Sequence, residues 1–256
     1  MASLGLIGYG TIGRYIYNEL SKEGHNFSFI YDRRPLDKNE KLLDNKTRYL
    51  TTQESLTESL LQKTDLVIEC AHASIVKKLA PIIIQSTSLI LFSLTAFSDE
   101  TFLNYFIKTT EGANNHFYIP HGAILGLDGI FDGRHIIESV EIKTTKRPSN
   151  LGLTNQTREI IFKGSTREAC KYFPRNVNVH AAIALAGIGF DETISTIISD
   201  PESEGNLHQI EIILDGCRFN IEICSTPGSG VTGAYTPISA VASIKRIINN
   251  DIYTVV

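Results

Sequence analysis

Two rhythms of apolar residues divide the chain. In the first half, short apolar runs alternate with segments whose apolar residues recur every three to four positions. The run Leu4-Gly5-Leu6-Ile7 predicts a strand, and residues 14–20 that follow it have helical spacing. The same reading predicts a strand over 26–31, a helix over 52–63 and a short buried strand over 65–70. It continues with a helix over 74–84, in which Pro81 marks a bend or an end, a strand over 88–94, a helix over 98–106 and a strand over 116–119. Alternating strands and helices imply right-handed crossovers and a parallel sheet. After Pro120 the rhythm becomes strict alternation: Val140 and Ile142 against Glu141 and Lys143 predict a half-buried strand over 136–146. Residues 159–163 and 194–199 read similarly. Segments 209–214 and 218–223 flank Asp215-Gly216, the pattern of an antiparallel hairpin. Helices are expected over 166–172 and 179–185. The amphipathic tail, 238–248, is expected to be helical and to pack back on the first domain, which makes the second an insertion.

The first strand-to-helix junction carries Gly8-Tyr9-Gly10-Thr11-Ile12-Gly13. Glycines at G-x-G-x-x-G spacing in this context form a dinucleotide site. The first glycine permits the tight turn, the second lets backbone approach a pyrophosphate, and the third lets helix and strand pack closely. The N–H groups that open the helix, from Thr11, Ile12 and Gly13, then face the anion. Asp32 ends the second strand about 20 residues past the motif, where a carboxylate accepts the ribose hydroxyls of NAD. Arg33 and Arg34 follow it, and a guanidinium there suits the 2′-phosphate of NADP, so both coenzymes stay open. Ligands of such sheets bind beyond the carboxyl ends of the strands. Gly8–Gly13, Cys70-Ala71-His72 and Ser93-Leu94-Thr95-Ala96 therefore point into one crevice. The expected fold is α/β: an N-terminal Rossmann-type, doubly wound parallel sheet over 1–120, completed by a C-terminal helix within 229–256. Residues 121–228 form a second, α+β domain with an open antiparallel sheet.

Composition narrows the class without naming it. The 256 residues are 42% hydrophobic and 20% charged with a net charge of −4, as in an ordinary globular protein of one or two domains. That charge argues against a nucleic-acid surface. No apolar run reaches membrane-spanning length, and the chain enters its first strand with no signal peptide, so a cytoplasmic protein is expected. Cys70, Cys170, Cys217 and Cys224 form no C-x-x-C pair, and no His/Cys cluster has zinc spacing, so no metal site is expected.

The second half supplies further chemistry. Pro120-His121-Gly122-Ala123-Ile124-Leu125-Gly126-Leu127-Asp128 is small enough for backbone to approach a flat ring, or to act as an interdomain hinge. Phe173-Pro174-Arg175-Asn176-Val177-Asn178-Val179 leads into a helix that Asn178 is placed to cap. Asn206-Leu207-His208-Gln209-Ile210 runs from a polar loop into the hairpin, with His208 at the strand's start. In this order, behind a dinucleotide fold, these stretches resemble the L-aspartate dehydrogenase family over nearly the whole chain. The resemblance implies NAD(P)-dependent oxidation of L-aspartate to iminoaspartate, which hydrolyses to oxaloacetate and ammonia or feeds NAD biosynthesis. It also implies a homodimer built through the second domain's sheet. By position, His208 matches the catalytic histidine, and Ala123 and Asn178 match cofactor contacts. The chain departs from the family at His121, at His180 where alanine is usual, and in Thr226-Pro227-Gly228-Ser229-Gly230-Val231-Thr232, which lacks the family's basic residue after proline.

The chemistry is consistent with that resemblance. Oxidising an amino acid removes a hydride from Cα, and the ammonium must first lose a proton. A histidine, ordinarily of pKa about 6.5, suits that base, and His208 is assigned to it and to activating water for hydrolysis. The carboxylates call for cationic donors: Arg175, Lys146 and Arg147 are candidates. His72 and His121 lie on loops within reach of a substrate, while His25, His116, His135 and His180 read as structural or solvated. Two other readings compete: a dehydrogenase of homoserine or of a cyclic imine, and a non-catalytic NAD(H) sensor.

Overall fold

The computed structural model describes residues 1–37, 46–225 and 233–249. These divide into two compact units, residues 1–120 with 240–249, and the described part of residues 121–239. In the first, β1 (Ser3–Ile7), α1 (Thr11–Lys22), β2 (Asn26–Tyr31), β3 (Arg48–Leu50), α2 (Glu58–Leu61) and β4 (Leu66–Glu69) are followed by α3 (Ala73–Ile83), β5 (Ser88–Leu91), α4 (Glu100–Glu111) and β6 (Phe117–Tyr118). The six strands form one parallel sheet in the order β3-β2-β1-β4-β5-β6. The order reverses direction beside β1, the position at which doubly wound sheets bind ligands. Leu4, Leu6, Ile30, Ile68 and Ile90 from the strands, Ile16 and Leu20 from α1, and Ala240 and Ile244 from the last helix share one fully buried core. Each large side chain there contributes about 1.5–3 kcal/mol relative to exposure.

Two differences from the sequence reading trace to local polar side chains. The helix expected over 52–63 is a 3-10 turn at Gln53–Ser55 and then α2, because the Thr57 hydroxyl caps a new start by accepting from the Leu60 N–H at 3.3 Å. The helix expected over 98–106 begins one residue after Asp99, which caps α4 by accepting from the Phe102 N–H at 3.1 Å; residues Leu94–Ser98 form a separate 3-10 turn. Pro81 sits inside α3 without ending it.

The second unit comprises α5 (Leu127–Gly133), β7 (Ile137–Lys146), α6 (Pro148–Leu151), β8 (Glu159–Ser165), α7 (Thr166–Tyr172) and α8 (Asn178–Ala186), then β9 (Thr193–Ser199), β10 (Asn206–Leu214) and β11 (Cys217–Ser225). Its open sheet runs β11-β10-β7-β9-β8. The sheet is mixed rather than antiparallel throughout, because β7 and β9 pair in parallel. The connection between them carries β8, α7 and α8, a crossover long enough to return the chain in the same direction. The hairpin β10–β11 turns through Asp215-Gly216, with Gly216 at φ +74. Alternation then sorts the faces: His208, Ile210 and Ile212 of β10 lie with Val140, Ile142 and Thr144 of β7 on the buried face. The last element among the described residues is α9 (Tyr235–Ile248). The remainder of the expected C-terminal helix, and Thr226–Thr232, lie outside the described residues.

Candidate active site

The glycine turn has the geometry that its spacing demands. Gly8 adopts φ +93, and a Cβ there would lie 2.8 Å from the Ala71 nitrogen and the Cys70 carbonyl. A Cβ on Gly13 would overlap the Gly8 carbonyl, so the third glycine sets the distance from α1 to β1. A Cβ on Gly10 would meet nothing within 4 Å, so the backbone there is open to a ligand. Gly10 caps α1 without a side-chain acceptor, and α1 has no acidic residue in its first turn. The N–H groups of Thr11, Ile12 and Gly13 are thus the orphan donors of a helix start, and the cradle fits a pyrophosphate.

Asp32 stands beside this turn, 9% exposed. Its Oδ2 accepts from the Tyr9 N–H at 2.8 Å and from Arg34 Nη2 at 2.8 Å, and its Oδ1 from the Arg34 N–H at 2.9 Å and Arg34 Nε at 3.0 Å. Burial opposes the charge, but these hydrogen bonds outweigh it and hold the carboxyl at about 2. Arg34, of the two arginines, is therefore committed to Asp32. Arg33 donates instead to His72 Nε2 at 3.1 Å, which leaves His72 Nδ1 to donate to Ser74 Oγ at 2.8 Å.

Glu69 is a buried carboxylate that the sequence reading passed over. It ends the apolar strand β4, is 1% exposed, and accepts from the Ala71 N–H at 2.8 Å, Ser93 Oγ at 2.8 Å and the Ser93 N–H at 3.0 Å. Burial raises its pKa while these bonds pull it down. It thereby ties the loop after β4, with Ala71, to the loop after β5. A carboxylate closing the run Leu66-Val67-Ile68 was the available signal.

In the second unit, His208 is the third residue of β10 rather than its first. Asn206 and Leu207 already pair with Ser225 and Cys224, and Leu207 also pairs with Thr145, which carries His208 into the ladder opposite Thr144 and Ile223. It is 3% exposed, and its Nδ1 lies 2.8 Å from Thr144 Oγ1. The same hydroxyl lies 2.7 Å from Nε2 of His180, which α8 holds fully buried. His180, read from sequence as structural or solvated, thus joins the candidate base through one atom. Burial, and then the charge of Lys146, push His208 down to about 3, so it is neutral at working pH.

Lys146 lies two residues beyond Thr144 on the same face of β7. It is 4% exposed and donates to the Asn176 carbonyl and to Asn176 Oδ1, both at 3.3 Å. Among the described residues no carboxylate pairs with it, and burial lowers its pKa to about 8. Of the other candidate cations, Arg147 donates to the Ser203 carbonyl at 2.6 Å and Arg175 is exposed. Asn178 does not cap α8: residues 173–176 close a turn, Val177 becomes the cap residue with no side-chain hydrogen bond, and Asn178 opens the first turn. Ala123 is half-buried between Gly122 at φ +57 and Gly126 at φ +78. Among the described residues no group of three or more His, Cys, Asp or Glu is placed to hold a metal, and no helix is long and apolar enough to cross a membrane.

Comparison with known proteins agrees with both halves of this description. Residues 8–120 match the family model described as homoserine dehydrogenase, NAD binding domain, and residues 131–247 match aspartate dehydrogenase, C-terminal. L-aspartate dehydrogenase of Nitrosopumilus maritimus is 30% identical over 276 residues, covering 98% of each chain. L-aspartate dehydrogenase of Thermotoga sp. (strain RQ2) is 33% identical over 190 residues, covering 73% of this chain and 78% of that protein. The crystal structure of aspartate dehydrogenase from Thermotoga maritima superposes with a TM-score of 0.79 at 27% identity, over 99% of this chain and 100% of that one. The glycine turn, the mixed second sheet and the buried histidine thus sit in a chain that belongs to the L-aspartate dehydrogenase family.

Proposed function

We propose that this protein is an NAD(P)-dependent L-aspartate dehydrogenase that oxidises L-aspartate to iminoaspartate. The imine then takes up water to give oxaloacetate and ammonia, or feeds NAD biosynthesis. One observation carries the assignment beyond family membership: a neutral buried histidine shares a strand pair with a buried lysine that has no carboxylate partner among the described residues. That combination suits an anionic substrate whose amine must be deprotonated.

When bound, the oxidised nicotinamide supplies the hydride acceptor. Gly8, Gly10, Thr11, Ile12 and Gly13 are assigned to the pyrophosphate, Asp32 to the adenosine ribose, and Ala71, Ala123 and Asn178 to further contacts with the dinucleotide. Lys146 is assigned to a substrate carboxylate. Burial and, after it, the charge of Lys146 hold His208 below the useful range for a base, so an arriving carboxylate that neutralises Lys146 lifts the smaller part of that shift and raises the basicity of His208. His208 then takes the ammonium proton, which frees the nitrogen lone pair to form the C=N bond as the hydride leaves Cα. The same imidazole activates water if the imine is hydrolysed in place.

The active form is proposed to be a homodimer formed through the second unit's sheet. The face opposite α7 and α8 carries Ile160, 64% exposed, with Lys143, Gln209, Arg218 and Glu222. Among the described residues Cys70, Cys170, Cys217 and Cys224 form no disulfide, which suits a reducing cytoplasm. A spectrophotometric screen with L-aspartate, homoserine and 2-hydroxy acids, each at fixed NAD and NADP, tests the function. Reduction of coenzyme with L-aspartate well above the others is expected. Turnover of homoserine but not aspartate would replace the substrate, and coenzyme binding with no turnover of any of them would leave a sensor.

A further inference from the structure

The buried polar groups around His208 form one unbranched chain of hydrogen bonds, and its direction is set at the far end. Thr166, fully buried at the start of α7, donates its hydroxyl to the Thr193 carbonyl at 3.0 Å. Its single hydrogen is thereby spent, so toward Ser195 Oγ, 2.7 Å away, Thr166 is the acceptor and Ser195 the donor. Ser195, its own hydrogen spent, accepts from His180 Nδ1 at 2.8 Å. His180 has one ring hydrogen in the neutral form, and it now sits on Nδ1. The bare Nε2 accepts from the Thr144 hydroxyl at 2.7 Å. Thr144, in turn, accepts from His208 Nδ1 at 2.8 Å.

In this arrangement every hydroxyl hydrogen in the chain has an acceptor. A doubly protonated His180 would make Thr144 accept from both rings and leave the Thr144 hydrogen without one. Burial, with the charges of His208 and Lys146 adding to it, pushes the pKa of His180 well below its ordinary value.

We infer that Thr166, Ser195, His180 and Thr144 are positioning residues that hold His208 in its Nδ1–H tautomer and so present Nε2 as the bare, proton-accepting nitrogen. The inference rests on the reading of His208 as the base, and it adds which nitrogen acts and what selects it. The chain orients and does not conduct: a proton passed along it would end on the Thr193 carbonyl, a backbone acceptor with no exit. Protonation of His208 at Nε2 needs no bond in the chain to turn over, so the base is organised before substrate arrives.

The test is two-bond 1H–15N correlation of the histidine ring nitrogens in the full-length, ligand-free protein at pH 7, with His208→Ala assigning the signals. Wild type is expected to give a protonated Nδ1 and a bare Nε2 for His208; the opposite pattern overturns the inference. Thr166→Val frees the Ser195 hydroxyl to donate to His180 Nδ1, which reverses each later bond. It is expected to shift His208 toward Nε2–H and to lower kcat about tenfold or more, with the KM for aspartate within about twofold. Thr166→Ser is expected to restore both the tautomer and kcat. An unchanged tautomer in a folded Thr166→Val protein overturns the inference. Failure of the functional reading looks different: turnover would then survive in His208→Ala, whatever the tautomer.

Discussion

Asp32 in the first unit and Lys146 in the second are both buried ions, and they are held in opposite ways. Asp32 receives four hydrogen bonds, from Tyr9 and Arg34, and its pKa falls to about 2. Among the described residues Lys146 has only amide-type acceptors, on Asn176, and burial lowers its pKa to about 8. Both shifts are downward, yet for the acid this records stabilisation of the charge and for the base destabilisation. A carboxylate already satisfied must exchange partners to bind a ligand. A buried cation short of a counter-charge gains one on binding. The first arrangement suits discrimination between coenzymes, and the second suits capture of an acidic substrate.

The contrast is broken most severely at the group that depends on Lys146. His208→Ala removes the proposed base, which burial and then the charge of Lys146 keep neutral, so kcat for aspartate is expected to fall about 10²- to 10⁴-fold. The Kd for NAD, measured by nucleotide fluorescence, is expected to stay within about twofold. Survival of kcat would remove His208 from the chemistry.

Lys146→Met tests the unpaired ion directly. Loss of a charge-assisted contact is expected to raise the KM for aspartate about 10- to 100-fold. Ligand-free stability should hold or rise, since a desolvated cation is removed. The pH dependence has a definite sign. Below about pH 8 the lysine is protonated folded and unfolded, and the folded state carries the full cost of burying it. Between about 8 and 10.5 the folded state releases its proton while the unfolded state keeps it, so the unfolded state binds more protons and stability rises with pH. The gain is on the order of 3 kcal/mol. Urea unfolding at pH 7 and 9.5 should show about 2 kcal/mol of that rise in wild type and none of it in Lys146→Met.

The surroundings of the two ions also differ in how far they could be read from sequence. The partners of Asp32 lie 2 and 23 residues away, and the turn is built from backbone and glycines, whose conformational demands are local. Spacing alone therefore predicted Gly8, Gly10, Gly13 and the carboxylate. The bonds around His208 span 15 to 64 residues and depend on the register of β7, β9 and β10. Nothing in the vicinity of His180 or Thr144 announces that they converge, so His180 read as structural or solvated. The mixed sheet escaped for the same reason: each strand's alternation gives its faces, but not which neighbour it joins or in which direction. Glu69 lies between these cases, visible as a charge ending a buried strand while its partners across the loops were not.

Asp32→Ala sharpens the coenzyme half of the contrast. It removes the acceptor assigned to the ribose and releases Arg34, so NAD is expected to weaken about tenfold while NADP weakens less or tightens. Equal losses for both, in parallel titrations, would sink the ribose contact.

Arg34→Ala asks the smallest question and isolates the exchange of partners. The pair is short, 2.8 Å, but the arginine side chain is 70% exposed, so its loss should cost less than about 1 kcal/mol of stability. Of the four bonds to Asp32 only those from backbone N–H groups would remain, at Tyr9 and at position 34, and the carboxylate would keep lone pairs for a ribose diol. NAD should therefore tighten by a few-fold in fluorescence titration, whereas NADP, deprived of a guanidinium for its 2′-phosphate, should weaken. If NAD weakens instead, Arg34 holds Asp32 in its binding geometry, and satisfaction of the ion is part of how it recognises the ribose rather than a competitor to it. Lys146 would then stand alone as the ion whose missing partner is supplied by the ligand.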